Sequence, residues 1–167
     1  MKISSSSDLG KLEKIGLTTL YPAQLKISIG MSTCGIAAGA GELFKQFQEE
    51  ADRRNVDLML TATGCLGYCQ KEPLVDIRMP GKGRVLYARI SAEDIAGMLD
   101  ALANGRWPDT KALAIIPEET ESRKDTPAKL PNVPMLSGLP FFARQHKIVL
   151  KNCGLIDPFS IEEYVAC

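Results

Sequence analysis

Between Gln24 and Ala62 the chain runs strand, amphipathic helix, strand, and this succession limits its fold more than any other feature. "QLKISIG" alternates Leu25, Ile27 and Ile29 on one face, the period of two expected of a half-buried strand. In "MSTCGIAAGAGELFKQFQEEADRR", Ala40, Leu43, Phe44, Phe47 and Ala51 recur at helical spacing, so a turn feeds a helix that places Phe44 and Phe47 in the core. "VDLMLTATG" supplies the second strand, starting at Val56. "EPLVDIRMPG" and "GRVLYARI" read as two further strands, joined as a hairpin at Pro80-Gly81-Lys82-Gly83. Ser91 then caps a helix striped with Ile95, Met98, Leu99 and Leu102, which Asn104-Gly105 ends. A leading helix spans Asp8 to Leu20 and stops before Pro22.

A strand–helix–strand unit followed by a hairpin and a helix predicts an α/β fold: a mixed four-stranded sheet with flanking helices, of thioredoxin-like outline, over residues 1–105. The composition then changes. Six of the ten prolines lie between Pro108 and Pro140, interleaved with the charged run "PEETESRKDTPAK", so residues 106–139 read as a linker that Trp107 packs onto the domain. Residues 140–167 regain apolar content, with a strand expected at Lys147–Leu150 and a short helix starting at Ser160. A segment of that size cannot form its own core and has to pack on something else.

The charges cancel to a formal net charge of zero, which excludes a bulk electrostatic pull toward nucleic acid or a membrane surface. No apolar run approaches the roughly 20 residues that cross a bilayer, and the amino terminus lacks a signal-peptide core, so a cytoplasmic location is expected. Thiols are kept reduced there, which turns attention from disulfides to metal or redox use of clustered cysteines. Cys34 lies in the turn after the first strand, and Cys65 and Cys69 lie in the glycine-rich turn after the second. In an α/β sheet that spacing sends both turns to the same edge, where three thiols converge. Gly30, Gly35, Gly64 and Gly67 flank them and allow backbone N–H groups to turn inward. An iron–sulfur cluster, a zinc site, a regulatory disulfide and simple burial all remain open on the residues alone, although the lone histidine, His146, is far from the pair.

At "MSTCGIAAGA" and "GCLGYCQKEPLVDIRMPG", followed by "YARISAEDIAGMLDALANGRWP", the sequence resembles the thioredoxin-like [2Fe–2S] ferredoxin family. That family pairs Cys-x4-Cys after the first strand with Cys-x3-Cys after the second. "KIVLKNCGLIDPFSIEEYVA" resembles the start of the flavin- and NADH-binding subunit of NADH dehydrogenases, to which such ferredoxin domains are fused in NAD-linked and electron-bifurcating hydrogenases. The resemblance implies an electron-transfer domain with Cys34, Cys65 and Cys69 as ligands of a [2Fe–2S] cluster. It relays single electrons between a flavin and NADH site and a partner subunit of an oxidoreductase complex. FMN and NAD would bind only in a remainder beyond this chain, which is then a piece of a longer protein. Stand-alone relatives form homodimers, a partnership that the sequence leaves open here.

One position departs from the pattern. Ile29 stands where the family has its first cysteine, so the fourth ligand is unidentified. Cys153 is read as a packing residue within the flavoprotein-like segment, or as a ligand if that segment folds back. The alternative reading is a cluster-free docking module that keeps the ferredoxin shape for subunit assembly.

Overall fold

The computed structural model describes residues 3, 5–117 and 128–167. The charged run singled out above lies largely outside the described residues. The element order is α1 (Ser6–Leu20), β1 (Leu25–Gly30), α2 (Thr33–Ala37), α3 (Ala40–Arg54), β2 (Leu58–Thr63), β3 (Leu74–Met79), β4 (Gly83–Ala88), α4 (Ala92–Ala103), β5 (Ala112–Ile116) and α5 (Ile161–Val165). Short 3-10 turns cover Cys69–Lys71 and Leu136–Gly138.

The strands form one sheet in the order β2-β1-β3-β4-β5. β1 runs parallel to β2, as a strand–helix–strand unit requires, and antiparallel to β3. The β3–β4 hairpin turns at the expected glycines, where Gly81 and Gly83 take the left-handed conformation that favours glycine. This is the thioredoxin-like arrangement that the element order predicts, with a fifth strand added. β5 pairs with β4 from within the segment that reads as linker, because "ALAII" carries enough apolar residues to close the sheet edge. Trp107, Leu130 and Val133 from the same segment pack on the core.

The core lies between one sheet face and α3 with α4. Ile27, Ile29, Val75, Ile77, Val85 and Tyr87 meet Leu43, Phe47, Met98 and Leu99 there. Both long helices keep the polar signals read from the sequence. Asp94 accepts from the Ser91 N–H at 2.7 Å to cap α4, and Asn55 closes α3 in the left-handed conformation.

The opposite sheet face corrects the expectation of a half-buried strand. β1 is covered on both sides, because Lys26 and Ser28 are buried as well as Ile27 and Ile29. α1 and the C-terminal segment cover this second face. The Lys26 ammonium donates to the Thr19 carbonyl at 2.7 Å and to Glu163 Oε1 at 3.3 Å, while the Asp157 N–H donates to Glu163 Oε2 at 2.6 Å. The C-terminal segment therefore packs on its own chain. Within it, residues 147–150 form irregular chain that bends at Ile148 into a turn, instead of the expected strand: Ile148 and Val149 are 73% and 91% exposed and have no ladder partner among the described residues. α5 does start after Ser160, whose hydroxyl accepts from the Glu163 N–H at 3.2 Å.

α1 meets α5 at Gly16, where a Cβ would overlap the Glu162 carbonyl. An alanine in place of a helix-interior glycine ordinarily stabilises by about 1 kcal/mol. Gly16→Ala is expected to do the reverse and cost about 1–3 kcal/mol through overpacking. Urea unfolding measures the sign, and a gain in stability would show that the two helices are not held in this contact.

Candidate functional site

The turn between β2 and β3 carries two of the three thiols. Cys65 Sγ and Cys69 Sγ are 3.6 Å apart, with the 3-10 turn Cys69–Lys71 folding the second cysteine back over the first. Gly67, at φ 88°, aims its N–H at Cys65 Sγ from 3.2 Å. Burial pushes the Cys65 thiol above its ordinary value, the Gly67 N–H opposes that shift, and the neighbouring Cys69 adds to it. Cys34 sits on α2 at the end of β1 and is exposed. Among the described residues, no three Cys, His, Asp or Glu side chains are gathered closely enough to hold a metal ion. The structure thus brings together Cys65 and Cys69, and it does not gather Cys34 into one group with them.

The flanking glycines serve more than one purpose. Gly67 turns an N–H toward sulfur as expected. Gly35 instead lets α2 lie on the end of β1, since a Cβ there would overlap the Gly30 carbonyl. Gly30 leaves room for the Glu72 carboxylate, both of whose oxygens lie 3.2 Å from where its Cβ would stand. Glu72 Oε2 accepts from the Leu74 N–H at 2.7 Å, whereas Oε1 is buried with no hydrogen-bond partner among the described residues. Burial holds this carboxyl above its ordinary value, against the pull of the Leu74 N–H. Glu72 precedes Pro73 through a cis peptide bond at the entry to β3.

The C-terminal segment clamps the cysteine turn. Lys147 donates to the Leu66 carbonyl, between the two cysteines, at 2.9 Å. The Thr63 hydroxyl donates to the Ile156 carbonyl at 3.1 Å. Phe141 stacks on Tyr68 with ring centroids 4.5 Å apart, and Phe142 meets Tyr68 edge-on at 5.3 Å. Cys153 Sγ lies 3.6 Å from where a Gly64 Cβ would stand, so the turn is brought against a fourth cysteine. Ile29 is fully buried in the core and offers no donor at the position where the ferredoxin pattern has its first ligand. Arg78 is buried on the second sheet face beside Tyr21.

With that geometry in view, the chain can be set beside known proteins. No family model matches it. Over 65 residues it is 31% identical to the NADP-reducing hydrogenase subunit HndB of Solidesulfovibrio fructosivorans. It is similar to a hydrogenase subunit. The aligned region is 38% of this chain and 52% of that subunit, so the chain spans about half the length of this relative. Among solved structures, the wild-type thioredoxin-like [2Fe–2S] ferredoxin of Aquifex aeolicus is 18% identical, with a TM-score of 0.46 over 55% of this chain and 97% of the ferredoxin. A cysteine-to-serine variant of that ferredoxin gives 18% identity and a TM-score of 0.47 over 54% of this chain and 98% of the variant.

The donors present fit part of an iron–sulfur centre. A tetrahedral metal about 2.3 Å from each of two sulfurs holds them roughly 3.7 Å apart, which matches Cys65 and Cys69. The Gly67 N–H supplies the hydrogen bond to sulfur that such centres use for tuning. The other half has Cys34 and no second thiol at Ile29, so four thiolates are not available in the family's pattern.

Glu72 gives a test that needs no metal. A carboxyl raised in the fold stabilises it fully below the unfolded value, and that contribution is lost as pH rises through the folded value. From the ordinary 4.5 upward, the metal-free chain should lose stability relative to Glu72→Gln, which keeps an oxygen for the Leu74 N–H. Urea midpoints across that range measure it; a difference that does not vary with pH would refute the burial-driven shift.

Proposed function

We propose that this chain is an electron-transfer domain carrying a [2Fe–2S] centre on Cys34, Cys65 and Cys69. It passes single electrons between a flavin and NADH site and a partner subunit of an NADH-linked oxidoreductase complex. The observation that carries the reading is the Cys65–Cys69 pair, at the separation of two thiolates on one metal and hydrogen-bonded by Gly67. The similarity to a subunit of an NADP-reducing hydrogenase supports an electron-transfer setting. When bound, such a centre accepts and releases one electron at a time.

The chain's own residues define where that happens. Gly67 stabilises anionic sulfur by its N–H. Lys147 places a positive charge on the loop between the two cysteines through the Leu66 carbonyl. Tyr68, Phe141 and Phe142 pack together as a ring cluster on one side of the turn. Cys153 is the thiol that the C-terminal segment brings to the same turn, and a partner subunit or a small molecule is the other source of a fourth ligand.

The buried Ile29 favours a second reading, a cluster-free module that docks subunits. Anaerobic purification with iron and acid-labile sulfide assays separates the two. The expected result is two irons per chain, as the [2Fe–2S] formula requires, with an EPR signal after dithionite that Cys65→Ser and Cys69→Ser each abolish. Stoichiometric absence of iron in the intact protein, even after reconstitution, would leave the docking reading.

Lys147→Met removes a positive charge beside the pair. The reduction potential of the loaded protein should therefore fall, because the added electron loses a favourable Coulomb interaction. Redox titration followed by EPR reads the shift, and an unchanged potential would remove Lys147 from the tuning set.

A further inference from the structure

Beneath the cysteine turn, the sheet and the C-terminal segment close on a cavity of about 10 Å³, the room that a single water molecule takes. Gly64 and Leu66 of the turn, Ser28 and Asp76 of the second sheet face, and Gly154 of the C-terminal segment line it together with Glu72. Two acidic oxygens in this lining are left without a donor. Glu72 is 9% exposed, and its Oε1 is fully enclosed with no hydrogen-bond partner among the described residues. Asp76 Oδ2 is equally enclosed; it lies 2.7 Å from Arg84 Nη2 as an ion pair, without the alignment of a hydrogen bond. Native interiors rarely leave such acceptors bare, because taking them out of water without a replacement bond is costly. A third polar group is at hand. The Ser28 hydroxyl shares a bond with the Thr61 hydroxyl at 2.9 Å in which either oxygen can donate. When Thr61 donates, the Ser28 proton is free for the cavity.

We propose that this cavity is a binding site for one internal water molecule, which donates to Glu72 and Asp76 and accepts from Ser28. Three hydrogen bonds are the usual number for a buried water. A cation suits the site less well, because Arg84 already brings positive charge to Asp76, with Nε 2.8 Å from Oδ1. The water has a place in the architecture of the thiol pair. The Glu72 N–H donates to the Cys69 carbonyl at 3.2 Å, so a water that fixes the Glu72 carboxyl ties the foot of the cysteine turn to β1 through Ser28 and to β3 through Asp76. The site needs no metal and stands apart from the proposed electron-transfer role.

A crystal structure of the intact chain, at a resolution that shows ordered water, tests this. One solvent peak is expected about 2.5–3.0 Å from both Glu72 Oε1 and Asp76 Oδ2. Glu72→Met, which keeps the length of the side chain and removes its polar atoms, should lose the peak, whereas Glu72→Gln should retain it. Oxygen-17 relaxation dispersion in solution should count one long-lived water fewer in Glu72→Met than in the unaltered chain. The proposal is overturned if the cavity is dry, if Glu72 turns out of it or bonds Asp76 directly, or if the water survives Glu72→Met. A peak with several oxygen contacts of about 2.0–2.4 Å would be a metal ion and overturns it as well. Should Glu72→Met fail to fold, the density of the unaltered chain decides the matter alone.

Discussion

A buried ion pair between Lys26 and Glu163 joins the first strand of the sheet to the last helix of the chain. Both side chains are nearly inaccessible, and burial drags the Lys26 ammonium below its ordinary value while Glu163 pulls it back up. Such a pair adds little net stability, but removing one partner strands a charge in the interior. The geometry is therefore held closely. Lys26 is also tied to Thr19 at the end of α1, and Glu163 to the Asp157 N–H, so one polar knot fastens α1, β1 and α5.

Everything distinctive about the second face of the sheet follows from that knot. With α5 seated on Gly16, the preceding segment is led across the sheet, where Gly154 accepts from Arg84 and Ile156 accepts from Thr63. The same path delivers Lys147 to the loop between the paired cysteines and stacks Phe141 on Tyr68. A cavity is what remains between this segment and the sheet. A thioredoxin-like sheet without the segment would leave Arg78, Arg84 and Asp76 facing water and the cysteine turn uncovered.

Local signals were legible where one residue type has one local use. Apolar periodicity marks α3 and α4, Ser91 with Asp94 marks a helix start, and glycine pairs mark the β3–β4 turn. The Cys-x3-Cys turn was legible as a paired-thiol site for the same reason, since four residues of glycine-rich chain force the sulfurs together. β5 was not, because its five apolar residues sit among prolines and only acquire meaning from the open edge of β4. The Ile148-Val149-Leu150 run misleads in the other direction: β propensity without an available edge produces turns.

By itself, the sequence determined the element order, the core faces of the two long helices, and the spacing that pairs Cys65 with Cys69. These are short-range consequences of period, capping and chain reach. Only the tertiary structure decided that Cys34 is not gathered with that pair, that Ile29 is sealed in the core, and that Cys153 comes to Gly64. It also decided that Lys26, Arg78 and Glu72 are buried. Each of those outcomes depends on where a segment distant in sequence lands, and no local pattern records the partner that will cover a side chain.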